Sequence, residues 1–137
     1  MTSSSAAHVP TRIGWIALRF VLLLEVIGGA WLLINVAQGV FAAQGEPLGD
    51  LVILLLATAL WWAWIAITAW GAWRGRPGWV RGSSITIHVL LFAAATGILQ
   101  GLLGPQTVLG LEVLVLALAG FVAALLARPD APVVPGE

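Results

Sequence analysis

Glu25 is the residue in this sequence with the strongest claim to chemistry. It stands in LLLEVIGG, residues 22–29, within an apolar run over 13–43 interrupted only by Arg19, Glu25, Asn35 and Gln38. A carboxylate surrounded by hydrocarbon must find hydrogen-bond donors or keep its proton, because leaving water penalises the charged form. Acids in such settings are candidates for proton or cation relays. The structural alternative is that Trp61, Trp62 and Trp64 lie at similar depth on a neighbouring helix, where their indole N–H groups would satisfy Glu25. We prefer that alternative, since one carboxylate does not make a pathway.

His88 is the second candidate. It reads as a satisfied interhelical histidine in preference to a proton relay with Arg19 or Glu25. Haem held by two helices would need another axial ligand, and the remaining imidazole and thioether, His8 and Met1, lie in the polar lead. The candidate intramembrane polar site is therefore Glu25, Arg19, His88, Trp61 and Trp64, with Arg19 snorkelling toward the surface. A second cluster, Gln100, Glu112 and Asn35, reads as an outer polar clamp between helices. Bonds of that kind average only about 0.6 kcal/mol in membranes, which favours packing over catalysis.

No other constellation suggests chemistry. Ser83 and Ser84 read as a helix cap, with no base placed to activate them. The absence of cysteine removes thiolate nucleophiles and zinc-thiolate sites. A phosphate loop, an HExxH motif and a paired metal-carboxylate motif are all missing. The expectation is a protein without catalytic residues, cofactor or metal.

The elements that must position these residues follow from composition. The 137 residues are 61% hydrophobic and 9% charged, whereas a soluble domain carries about 25% charged residues. The bilayer is the solvent. Net charge is zero and lysine is absent, so no basic cluster offers itself to nucleic acid. A secretory leader would have an apolar region of only about 7 to 15 residues, much shorter than the first run here.

The fold class expected is all-α, an up-down bundle of four transmembrane helices. Residues 1–11 form a flexible cytoplasmic lead, 12–127 the bundle and 128–137 a disordered cytoplasmic tail. The spans are expected at about 13–43, 51–73, 83–103 and 107–127; the last three are near the length of about 20 residues that crosses a bilayer, and the first exceeds it and must tilt or project. All six arginines then fall on one side, and the hairpin WGAWRGRPGWVRG, residues 70–82, is a cytoplasmic turn. Both termini are cytoplasmic and the location is the plasma membrane.

Depth layering places Arg19, Thr68, Thr86 and His88 near the cytoplasmic side, Glu25 at the midplane, and Asn35, Gln38, Gln100 and Glu112 in the outer half. Trp15, Trp70, Trp73 and Trp79 suit an interfacial belt. Ala93, Gly97 and Gly101 on the third helix, and Glu112, Leu116, Ala119 and Ala123 with Gly120 and Ala124 on the fourth, form small-residue stripes for close packing.

Two resemblances arise. The stretches RPGWVRGSSITIHVLLFAAATGILQG, residues 76–101, and ALAGFVAALLARP, residues 117–129, resemble the second half of small, uncharacterised four-helix integral membrane proteins of high-GC Gram-positive bacteria. That likeness implies membrane location and no particular activity. LLLEVIGG is similar to the first helix of small multidrug resistance transporters, which implies a shared proton and substrate site at Glu25. The other motifs of that family are missing, and the chain has no tyrosine.

The leading functional reading is a non-enzymatic accessory or interaction subunit of the membrane. Its partners would be the lipid bilayer, a further copy of itself or another membrane protein. The rival is a proton-coupled carrier of hydrophobic cations using Glu25.

Overall fold

The structure, a computed structural model, describes residues 8–43, 45–75, 77–102 and 104–128. Among them the chain is all-α, with α1 at His8–Ala42, α2 at Leu48–Arg74, α3 at Gly78–Leu99 and α4 at Thr107–Leu126. All four are long and apolar enough to cross a membrane. In hydrocarbon a helix satisfies every interior backbone group within its own segment, so long apolar runs resolve into helices.

The helix starts are marked by proline. Pro47 and Pro77 are the N-cap residues of α2 and α3 in extended conformation, Pro105 lies two residues before α4, and Pro10 sits in the first turn of α1. Proline suits these positions because its missing N–H would be unpaired there anyway. Two expected boundaries change as a result. Helix α1 begins at His8, so residues 8–11 are helical instead of a flexible lead, while residues 1–7 and 129–137 lie outside the described residues. Helix α3 begins at Gly78, so Ser83 and Ser84 lie inside it and cap nothing.

The end of α3 corrects a third expectation. Gly101 has φ +86°, its N–H donates to the Ile98 carbonyl at 3.0 Å, and the Leu102 N–H donates to the Gly97 carbonyl at 3.2 Å. This is a helix stop closed by a left-handed glycine. Gly101 thus ends α3 instead of extending a packing stripe along it.

Around the bundle the order is α2, α1, α4, α3. The pairs α3 with α4, α1 with α2 and α1 with α4 pack extensively, α2 meets α3 lightly, and α1 and α3 lie on the diagonal without close backbone approach. Gly14 lets α1 lie on the end of α4: a methyl there would come within 2.6 Å of the Leu126 carbonyl carbon. The start of α1, the end of α2, the start of α3 and the end of α4 share one end of the molecule, where cross-links join them. Arg19 Nε donates to the Ala72 carbonyl at 2.7 Å, Arg81 Nε to the Ala124 carbonyl at 3.1 Å, and Trp15 Nε1 to the Arg128 carbonyl at 2.7 Å. Carbonyls in the last turn of a helix lack partners of their own, and Arg19 and Arg81 supply them for α2 and α4, while Trp15 reaches a carbonyl just past the end of α4.

The core is concentrated toward that arginine-bearing end. Trp15, Leu18, Leu22, Ile65, Ala69, Ala72, Val80, Ile87, Ala123, Ala124 and Ala127 form one buried cluster. Beyond Glu25 no described α1 residue is buried, and none on α2 before Ile65. At 1.5 Å per residue, α1 and α2 are about 52 and 40 Å long against about 33 and 30 Å for α3 and α4, so the α1–α2 hairpin projects as an arm with Trp31 and Phe41 exposed.

Candidate functional site

The inward line of α1 is Trp15, Leu18, Leu22 and Glu25, at three- and four-residue steps that keep one helical face toward the core. On α3 the corresponding line includes Val80, Ser84, Ile87 and His88. These lines face each other along the diagonal and end in a pair. His88 Nε2 lies 3.0 Å from Glu25 Oε1, with His88 fully buried and Glu25 only 5% exposed. On the other side of the ring, His88 Nδ1 and the Ser84 carbonyl are 2.6 Å apart, a contact in which Nδ1 carries the proton and donates it to the carbonyl.

Gly120 makes the diagonal reach possible. A methyl at that position of α4 would overlap the imidazole of His88. The glycine leaves a notch through which the ring passes to reach α1.

The pair is close but not aligned as a hydrogen bond. Among the described residues, both carboxylate oxygens of Glu25, Nε2 of His88 and the hydroxyl of Ser84 have no aligned partner. A carboxylate and an imidazole can hold one proton between them with no net charge. A carboxylate facing an imidazole at this distance is complementary to it, the setting in which a buried ionisable group is tolerated.

A second polar node ties α2 to α3 nearer the arginine end. Trp64 Nε1 donates to Ser83 Oγ at 2.8 Å, Ser83 and Thr68 share a hydroxyl contact of 2.7 Å, and Thr68 donates to the Trp64 carbonyl at 2.9 Å. Between α2 and α1, Trp62 Nε1 donates to the Val26 carbonyl at 3.0 Å, its ring lying over Gly29. Trp61 packs edge-on to Trp64 with ring centroids 5.6 Å apart.

A groove of about 240 Å³ opens between α3 and α4, lined by His88, Val89, Phe92, Ala117, Leu118 and Phe121. Glu25 does not line it. Among the described residues no three metal-ligating side chains of His, Cys, Asp or Glu converge.

Comparison with protein-family models, curated proteins and solved structures finds no match to this chain.

The residues expected to form one intramembrane site are divided by the structure. Glu25 and His88 meet. Arg19 sits at the C-terminal end of α2, also within 5.7 Å of the Trp73 ring, and Trp64 belongs to the Ser83 node. No indole donates to Glu25. His88 also lies further along its helix than expected, ten residues from the start of a 22-residue helix, because α3 starts at Gly78.

The outer clamp is not formed. Asn35 donates back to the Trp31 carbonyl at 2.7 Å, while Gln100 and Glu112 are exposed, and no hydrogen bond joins the three. Trp15 is fully buried instead of interfacial, whereas Trp70, Trp73 and Trp79 are exposed. The buried line of α4 is Gly110, Ala117, Gly120, Ala123 and Ala124, with Glu112 and Ala119 outside it.

Three contributors had weaker signals in the sequence. Gly120 stands among alanines, where it reads as one more small residue of the stripe instead of a notch for a side chain. Ser83 and Thr68 are hydroxyls in apolar helices, which bond either to their own backbone or across to a neighbour.

Proposed function

We propose that the chain is a multi-pass protein of the plasma membrane, with both termini cytoplasmic, that acts without catalysis as an accessory or interaction subunit. The observation that carries this reading is the closure of its titratable centre. Glu25 is sealed from solvent and matched to His88 across the bundle. A carrier of hydrophobic cations would bring its carboxylate to the wall of a cavity, and the groove beside His88 is lined without Glu25. The pair then serves as a clasp that sets the mutual rotation of α1 and α3. The apolar α1–α2 arm, little packed within the monomer, is the surface most suited to another membrane helix.

The test is flux in reconstituted vesicles. Neither the native protein nor Glu25→Gln is expected to move protons or hydrophobic cations above the lipid background. Proton-driven cation uptake by the native protein, lost in Glu25→Gln, would replace this reading with the carrier. A photo-crosslinking residue at Trp31 should capture a defined membrane species in native membranes, and one at the buried Ala95 should capture none.

A further inference from the structure

Among the described residues outside the Glu25–His88 pair, charge is sorted by end. Arg12 and Arg19 open α1, Arg74 closes α2, Arg81 opens α3 and Arg128 follows α4, so these five share one end. Glu46, Asp50 and Glu112 belong to the other end. The five arginines do not do the same work. Arg19 is held by the Ala72 and Gly75 carbonyls, and Arg81 by the Ala124 carbonyl. Arg12, Arg74 and Arg128 are exposed, and among the described residues none of the three meets an acidic side chain.

Arg12 and Arg128 lie at the α1–α4 corner, where Trp15 bonds the Arg128 carbonyl, and Arg74 stacks on Trp70 with 4.2 Å to the ring centroid. The exposed rings of Trp70, Trp73 and Trp79 are at this same end. Guanidinium groups match phosphate oxygens with two parallel donors, and exposed indoles prefer the headgroup layer. A dissolved anion would engage the arginines and offer the indoles nothing, whereas a lipid engages both.

We propose that this end docks anionic phospholipid headgroups, with Arg12, Arg74 and Arg128 holding the lipid phosphates while Arg19 and Arg81 serve the fold. The inference rests on the membrane location proposed above. Zwitterionic lipid carries the same phosphate beside its own cation, so selectivity comes from net charge.

Tryptophan quenching tests this directly. The full chain is reconstituted in phosphatidylcholine vesicles containing phosphatidylglycerol, with bromine on the acyl chains of one lipid or the other. Brominated phosphatidylglycerol should quench several-fold more per mole than brominated phosphatidylcholine. The preference should fall toward parity in the Arg12→Gln, Arg74→Gln and Arg128→Gln triple variant and in 1 M salt, where screening is about 3 Å in range. Arg19→Gln should retain the preference while lowering the melting temperature. Inorganic phosphate at matched ionic strength should leave the preference intact.

Equal quenching by the two lipids in the native protein would overturn the proposal, as would a preference unchanged in both the triple variant and high salt. Loss of the preference in a folded Arg19→Gln, or displacement by inorganic phosphate, would do the same. Failure of the membrane reading itself looks different, because neither brominated lipid would then quench.

Discussion

Glu25 and His88 form a buried diagonal pair, 3.0 Å apart. Two limits bracket its strength. Neutral polar bonds in membranes average about 0.6 kcal/mol, while stranding one member of a buried polar pair costs about 1 to 3 kcal/mol. The lack of alternative partners places this pair nearer the second limit. His88→Leu is expected to destabilise the bundle by about 1 to 3 kcal/mol, and Glu25→Leu with His88→Leu to recover part of that loss. A double-mutant cycle on reversible unfolding in detergent reads the coupling, and additive single variants would contradict the pairing. Gly120→Ala tests the same contact from α4. Its methyl competes with the imidazole, so a loss of about 1 to 3 kcal/mol is expected from overpacking. Replacing His88 by alanine as well should relieve that strain.

At the scale of the elements, the helices are defined more by their ends than by their faces. Proline opens them, and α3 closes on Gly101 at φ +86°. An alanine there must hold the left-handed conformation at a cost of about 1 to 2 kcal/mol. Gly101→Ala should therefore fray the last turn of α3, seen as faster amide exchange at Gly101 and Leu102, with the Glu25–His88 region unchanged. Equal acceleration throughout α3 would mean that this glycine governs more than a helix end. The same segment shows why a small-residue pattern misleads. GILQG has the spacing of a packing motif, yet its second glycine is used for conformation and its first faces Leu102.

For the whole molecule, the fold divides into a packed half and an arm. Arginines, buried core and polar nodes gather at one end, while α1 and α2 continue past α3 and α4 with apolar side chains exposed. The proposed orientation has a direct test, because the chain contains no native cysteine. Single cysteines at Glu46 and at Gly78, both exposed, should react with an impermeant maleimide from opposite faces of intact membranes. Glu46→Cys is expected to label from outside and Gly78→Cys only after permeabilisation. Labelling of both from one face would contradict the proposed orientation.

Four long apolar helices and the sorting of charge by end were legible in the sequence because hydropathy, length and the parity of loops are properties of the chain as a line. Prolines and the polar loops bounded the elements to within a few residues for the same reason. The partner of Glu25 was not legible. Apolar residues surround every helix, so periodicity carries little about which face turns inward, and one residue along α4 rotates the face by about 100°. That single step separates Ala119, which is exposed, from Gly120, which admits His88. Only the packed bundle decided that α1 and α3 stand on the diagonal, and hence that the carboxylate is met by an imidazole while the indoles go to Val26 and Ser83.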